Sequence, residues 1–212
     1  KAASEQYDIP IALHVDHCKS FETIMQCIRY GYTSVMIDTA HLPYEENVAM
    51  VKKVVEVAHS VGVAIEGELG KIGGVEDNLI VNEREATFTV PFEAKDFVEQ
   101  TGLDMLAIAI GIPHGEYKGE PKLDFERLSA IHELVDVPLI LHGASGVPDV
   151  QIKESLKRGI SKINIATELK IPMAKAIKDC FANKPSETDP RNYMGMAKVA
   201  VKAVVREKIR LC

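Results

Sequence analysis

The chain has 212 residues, 46% of them hydrophobic and 26% charged, with 14 glycines, 10 prolines and no tryptophan. That profile excludes a disordered or fibrous segment and fits one globular domain, long enough to hide roughly 70% of its unfolded surface. Lys and Arg number 25 against 31 Asp and Glu, a net charge of -6, and no basic run is present to neutralise a phosphate backbone, which excludes a nucleic-acid partner.

In chain order, an apolar run from Ile9 to Val15 reads as a strand and leads into Asp16 and His17. Ser20 is placed to cap a helix that stops near Gly31. The next strand, Ser34 to Ile37, is followed by Asp38, and Val48, Val51, Val55 and Ala58 then repeat at helical spacing. Val61 to Ile65 leads into Glu66 and Glu68. Leu69 to Pro91 fits neither template: it is long, polar and glycine-bearing at its start, as a functional lid would be. Phe92 to Gln100 reads as a helix closed by Gly102. The strand Met105 to Ile110 leads to His114, the strand Val137 to Leu141 to His142, and the helix Asp149 to Arg158 ends at Gly159. A last strand, Lys162 to Ile165, carries Asn164.

Most of these apolar runs are continuous rather than alternating, as parallel strands covered on both faces require. No linker or charge block divides them, so residues 1–212 read as one α/β domain. Each run finishes in a group able to bind metal or move protons, and in a parallel barrel those ends converge on the face that carries the chemistry. The expected fold is therefore a (β/α)8 TIM barrel. Six strands are visible where eight are needed, and the expectation is that the first two β/α units lie upstream of Lys1. The loops 143–146 and 164–167 then come after strands seven and eight, where barrels commonly hold phosphate.

His17, His114 and His142 each follow an apolar run, and three imidazoles around an open fourth position are the usual construction of a catalytic zinc site. The bland alternative is three separate polar strand ends. Of the other histidines, His14 is expected on the opposite side of its strand from His17, or one turn back. His59 and His132 are expected on helix surfaces, and His41 stays open. Asp16 either reaches substrate or orients His17. Glu66 and Glu68, two apart, point the same way on a strand, so one or both are placed to approach the metal, with Glu68 a candidate movable or alternative ligand. Glu76 and Asp77 come after Gly73 and Gly74 in the long loop, either to swing a carboxylate over the mouth or as a solvated acidic turn.

Gly143, Ala144, Ser145 and Gly146 offer small residues, a hydroxyl and backbone amides just before a helix, as an anion site requires. Lys162 is read at the start of its strand, so a Schiff-base mechanism lacks its nucleophile. Cys18, Cys27, Cys180 and Cys212 form no Cys-x-x-Cys pair and read as reduced thiols, with Cys27 packed in a helix. No apolar run approaches the ~20 residues of a membrane helix and no charged-then-apolar leader opens the sequence, so a cytoplasmic protein without membrane contact is expected.

The segments Leu13 to Cys18, Glu66 to Gly70 with Gly73 and Gly74, Pro113 to Gly115, His142 to Gly146 and Lys162 to Thr167 resemble the class II, zinc-dependent ketose-bisphosphate aldolases, in order and over essentially the whole chain. Residues 164–169 and Asp189 to Arg191 are more similar to the tagatose-bisphosphate branch than to the fructose one. The resemblance implies zinc on His17, His114 and His142, with Glu68 a further metal-site carboxylate and Asp38 at a second, non-catalytic metal position. It implies Asp16 as the acid/base at the aldehyde oxygen and Glu76 as the proton carrier at the ketose carbon. The backbone around Gly115, Gly143, Ala144, Ser145, Asn164, Ile165, Ala166 and Thr167 would hold the dihydroxyacetone-phosphate end, with a sodium or potassium ion nearby. Asn164 is counted with the catalytic group.

The activity this resemblance implies is that of a lyase splitting a ketohexose 1,6-bisphosphate into dihydroxyacetone phosphate and glyceraldehyde 3-phosphate, as a homodimer or homotetramer. The alternatives are an aldolase for another phosphorylated ketose, and an accessory, non-catalytic metal-binding subunit of such an enzyme.

Overall fold

A computed structural model of the chain describes residues 5–70, 74–76, 79–81, 88–111 and 122–212. Its elements are β1 His14–Cys18, α1 Phe21–Arg29, β2 Ser34–Ile37, α2 Tyr44–His59, β3 Ala64–Leu69, β4 Gly74–Glu76, β5 Leu79–Val81, α3 Pro91–Thr101, β6 Met105–Ile108, α4 Phe125–His132, β7 Leu139–Leu141, α5 Asp149–Lys157, β8 Ile160–Ile163, α6 Thr167–Asn183 and α7 Pro190–Leu211. Six strands form one sheet in the order β1-β2-β3-β6-β7-β8, with every neighbouring pair parallel. The helix between successive strands makes each connection a βα crossover, the repeating unit of a TIM barrel, here open between β1 and β8 among the described residues.

The apolar runs conceal a period of two. Val35, Ile37, Ile65, Leu69, Leu106, Ile108, Leu139, Leu141 and Ile160 pack outward in one large core with Val51, Val54 and Ala58 of α2, Phe97 of α3 and Leu128 and Ile131 of α4. Met36, Ala107 and Ile140 form a separate small cluster on the other face. Gly67 lies between the outward-facing Ile65 and Leu69, and a Cβ there would meet Leu103 at 3.1 Å and Phe97 at 3.5 Å. The missing side chain lets the helical layer close onto β3.

Several sequence expectations are met in detail. Ser20 Oγ accepts from the Thr23 amide to cap α1, and Gly102 closes α3 in the left-handed region at φ 68°. Strand positions differ more. Residues 9–13 lie before β1, β3 runs on through Glu66 and Glu68, and β8 starts two residues earlier than expected, which puts Lys162 inside the strand rather than at its start. Apolar runs mark the outward-facing stretch of each strand, while the inner face near a barrel mouth is polar and reads as loop. Within the stretch 69–91, β4 and β5 pair as an antiparallel ribbon, with Glu76 opposite Leu79.

Candidate metal and catalytic site

β1 carries three polar residues of the site, and its backbone explains how. Regular alternation turns His14 and Asp16 to one face and His17 to the other. The pairing with β2 slips between Val15 and Cys18, and His17 has φ 46°, the one positive value outside glycine among the described residues. A bulge with a left-handed residue turns a side chain across a strand, at a cost of about 1–3 kcal/mol that surrounding contacts must offset. Here it brings His17 to the same side as Asp16.

The His17 ring meets that of His142, which comes just after β7, edge to face, with Nε2 of His17 2.7 Å from Nδ1 of His142. The outer nitrogens are both engaged by carboxylates: Nδ1 of His17 lies 2.9 Å from Asp38 Oδ2, and Nε2 of His142 lies 2.7 Å from Glu66 Oε1. An ionised carboxylate only accepts, so each outer nitrogen donates its proton and each inner nitrogen presents a lone pair. At this separation the two inner nitrogens either share a proton or face a bound cation. His142 and Glu66 are 1% and 0% exposed, so the arrangement is shielded from water.

Further oxygen donors surround the pair. Ligand atoms of Asp16, His17 and His142 lie within 4.8 Å of one another, as do those of His17, Asp38 and Glu68; Glu68 Oε2 stands 3.7 Å from His17 Nδ1. Two imidazole nitrogens with a carboxylate suit a divalent transition metal, zinc included, better than calcium or magnesium, which prefer all-oxygen sets. The donor set fits the expected metal.

Asn164, just past β8, donates from Nδ2 to both oxygens of Asp16 at 3.1 Å and lies 3.3 Å from His142 Nε2. Partial burial opposes the charge on Asp16, but His14, His17, His142 and Lys162 outweigh it and hold its carboxyl down at about 2. Asp16 is thus ionised at neutral pH. Asp38 and Glu66 are also held below the ordinary carboxylate range, because their histidine partners outweigh the burial that opposes their charge.

Beside this centre the two small-residue loops are stitched together. Gly143 turns at φ 65°, and Ser145 Oγ accepts from the amides of Ala166 and Glu168, both at 3.2 Å. Ala166, the cap position of α6, offers no side-chain bond of its own, so a serine from the preceding loop caps the helix. Glu168 accepts from the Gly146 amide and pairs with Lys208 of α7 at 2.8 Å.

The structure thus gathers Asp16, His17, Asp38, Glu68, His142 and Asn164 in one place, with Gly143, Ala144, Ser145, Ile165 and Ala166 on the adjoining loops and Thr167 at the start of α6. His114, Gly115 and Asp77 lie outside the described residues, and Glu76 is placed by its backbone on β4. His41, His59 and His132 are exposed. His14 faces inward, 3.6 Å from Glu66, because it shares the Asp16 face of β1. In the sequence Glu66 is read only as one of two carboxylates able to approach the metal, and Lys162 as a strand-start residue outside the chemistry; the lysine ammonium stands 2.5 Å from Glu66 Oε2. The residue type and the inward parity with Ile140, its partner in register, were the available signals.

A family model described as "Fructose-bisphosphate aldolase class-II" matches residues 1–212. Among solved structures, the chain is similar to the YdjI aldolase from Escherichia coli K12, at 36% identity and TM-score 0.85, over 99% of this chain and 72% of that one. It is similar to a putative fructose-1,6-biphosphate aldolase from Coccidioides immitis at 31% identity and TM-score 0.88, over 99% and 74%. A fructose-bisphosphate aldolase from Campylobacter jejuni, at 21% identity and TM-score 0.76 over 99% and 72%, shares the fold.

Proposed function

The chain belongs to the class II fructose-bisphosphate aldolase family, and from that premise we propose that it reversibly cleaves a ketohexose 1,6-bisphosphate, tagatose or fructose, to dihydroxyacetone phosphate and glyceraldehyde 3-phosphate. The observation that carries this reading is the His17 and His142 pair, each ring tethered at its outer nitrogen by a buried carboxylate and turning its inner nitrogen to a shared point 2.7 Å wide.

His17 and His142, with His114 as the third imidazole and Glu68 as a further carboxylate, hold zinc in this proposal. When bound, the metal supplies a Lewis acid that polarises the ketose carbonyl and offsets the negative charge left on that half when the carbon–carbon bond breaks. Asp16, ionised at neutral pH, accepts the proton of the hydroxyl on the carbon released as aldehyde. Asn164 fixes both Asp16 oxygens for that transfer. The bonding pair stays with the dihydroxyacetone-phosphate half, and Glu76 delivers a proton to its reacting carbon. The reverse sequence makes the bond.

The loops at Gly143 to Ser145 and Asn164 to Thr167, with Gly115, hold the phosphate of the dihydroxyacetone half through backbone amides, with a sodium or potassium ion beside them. Cytoplasmic location and a homodimeric or homotetrameric assembly belong to the same proposal; among the described residues no helix is long and apolar enough to cross a membrane. The phosphate loops and metal set the shared half of the substrate and leave the aldehyde half open, so a different phosphorylated ketose is the second reading. Cleavage assays on tagatose, fructose and shorter phosphorylated ketoses, with and without chelator, test both. Cleavage of none of them by zinc-loaded protein overturns the proposal.

A further inference from the structure

Glu66 has no exposed surface and uses its two oxygens for two different donors. Oε1 lies 2.7 Å from His142 Nε2, and Oε2 lies 2.5 Å from the ammonium of Lys162. The three residues come from three places in the sheet, β3, the end of β7 and β8. Lys162 Nζ also stands 3.5 Å from His14 Nε2, whose Nδ1 lies 2.8 Å from Ser34 Oγ.

A charged pair here needs a reason. The nearby inner face is filled by Met36, Ala107 and Ile140, Glu66 is buried and Lys162 half-buried, and an ion pair drawn out of water is often no more stabilising than hydrocarbon of the same volume. His142 supplies the reason, because its Nε2 has two polar neighbours of opposite demand. Glu66 accepts and requires Nε2–H, whereas the Asn164 amide, 3.3 Å away, donates and suits an unprotonated Nε2. The second arrangement moves the proton to Nδ1, the nitrogen that faces His17, and removes the lone pair a metal needs.

We propose that Lys162 is a positioning residue for His142, acting through Glu66: by holding one carboxylate oxygen it aims the other at Nε2 and keeps the Nδ1 lone pair of His142 turned toward His17. This rests on the reading that His142 is a metal ligand. A carboxylate anchored at both oxygens cannot rotate, and such outer partners of a ligating histidine typically carry 10–100-fold in metal affinity.

The test uses the full chain and three variants, Lys162→Met, Lys162→Arg and the apolar pair Glu66→Leu/Lys162→Met, with cobalt and zinc affinities from chelator competition and 15N NMR of histidine in chelator-treated protein. Lys162→Met is expected to lose about 10–100-fold in metal affinity and to show His142 with its proton shared between the two nitrogens. Lys162→Arg is expected to recover most of the loss. The double variant leaves no lone buried charge, so it separates folding from positioning: its affinity is expected to stay as low as that of Lys162→Met. Parental affinity and a parental His142 spectrum in Lys162→Met overturn the proposal. If that variant does not fold, parental affinity in the double variant overturns it and low affinity supports it. A parent chain that binds neither metal contradicts the proposed function, while the 15N readout still decides the positioning role.

Discussion

His17 and His142 are held as mirror roles of one device: Nδ1 of the first donates to Asp38 at 2.9 Å, Nε2 of the second donates to Glu66 at 2.7 Å, and the inner nitrogens of the two rings meet at 2.7 Å. His17 arrives from a bulged stretch of β1, whereas His142 stands just past the end of β7. Asp16 stands outside this device, bound to Asn164 rather than to either outer nitrogen.

That separation predicts a contrast between variants. Asp16→Ala should lower kcat by about 10²–10⁴-fold, the usual worth of a positioned acid/base group, with metal content by elemental analysis near the parent's. His142→Ala should lose both. Equal metal loss in the two variants would move Asp16 into the coordination shell.

Asp38→Asn should leave the fold intact and lower zinc affinity by roughly 10–100-fold, since an amide can present either a donor or an acceptor to His17 Nδ1. Chelator competition measures this. Unchanged affinity would assign Asp38 to a separate ion position instead.

Much of the fold was legible because parallel strands buried on both faces leave continuous apolar runs and helices leave spaced ones: Ser34 to Ile37 and the α2 pattern stand where the sequence puts them. The His17, His142, Asp16 and Asn164 grouping was legible from strand ends. His17's route into it was not, because a bulge is a slip in register with β2 that no single strand encodes. The pairing of Glu66 with Lys162 was hidden for another reason. A charge inside a strand reads as a strand boundary until its partner, 96 residues away, is seen beside it.

Asp16, Glu66 and Asp38 shape the acid side of the stability curve: against the burial that opposes their charge, their carboxyls are held low in the folded protein by neighbouring histidines, joined for Asp16 and Glu66 by Lys162. A folded-state pKa below the unfolded one contributes stability that is complete above the unfolded value, about 4 for these groups, and is lost as pH falls through the folded value. Metal-free protein should therefore hold its Tm down to about pH 5 and lose it below about pH 4, and Glu66→Gln should flatten that fall. A Tm that rises on acidification below pH 4 would contradict the assigned charges.

Ser145→Ala removes the hydroxyl that caps α6 from a neighbouring loop. The expected cost is about 1 kcal/mol of stability by chemical denaturation, together with a raised KM for the bisphosphate and a nearly unchanged metal content. A stability loss without any change in KM would confine Ser145 to a structural part and remove it from the phosphate loop.

The most direct test of the central claim is initial-rate cleavage of tagatose 1,6-bisphosphate and fructose 1,6-bisphosphate by the same preparation, as purified, after chelation and after zinc is restored. The account predicts turnover that disappears with the chelator and returns with zinc, with dihydroxyacetone phosphate produced from at least one of the two sugars. Turnover that survives complete removal of metal, with His17 and His142 both replaced by alanine, would contradict it.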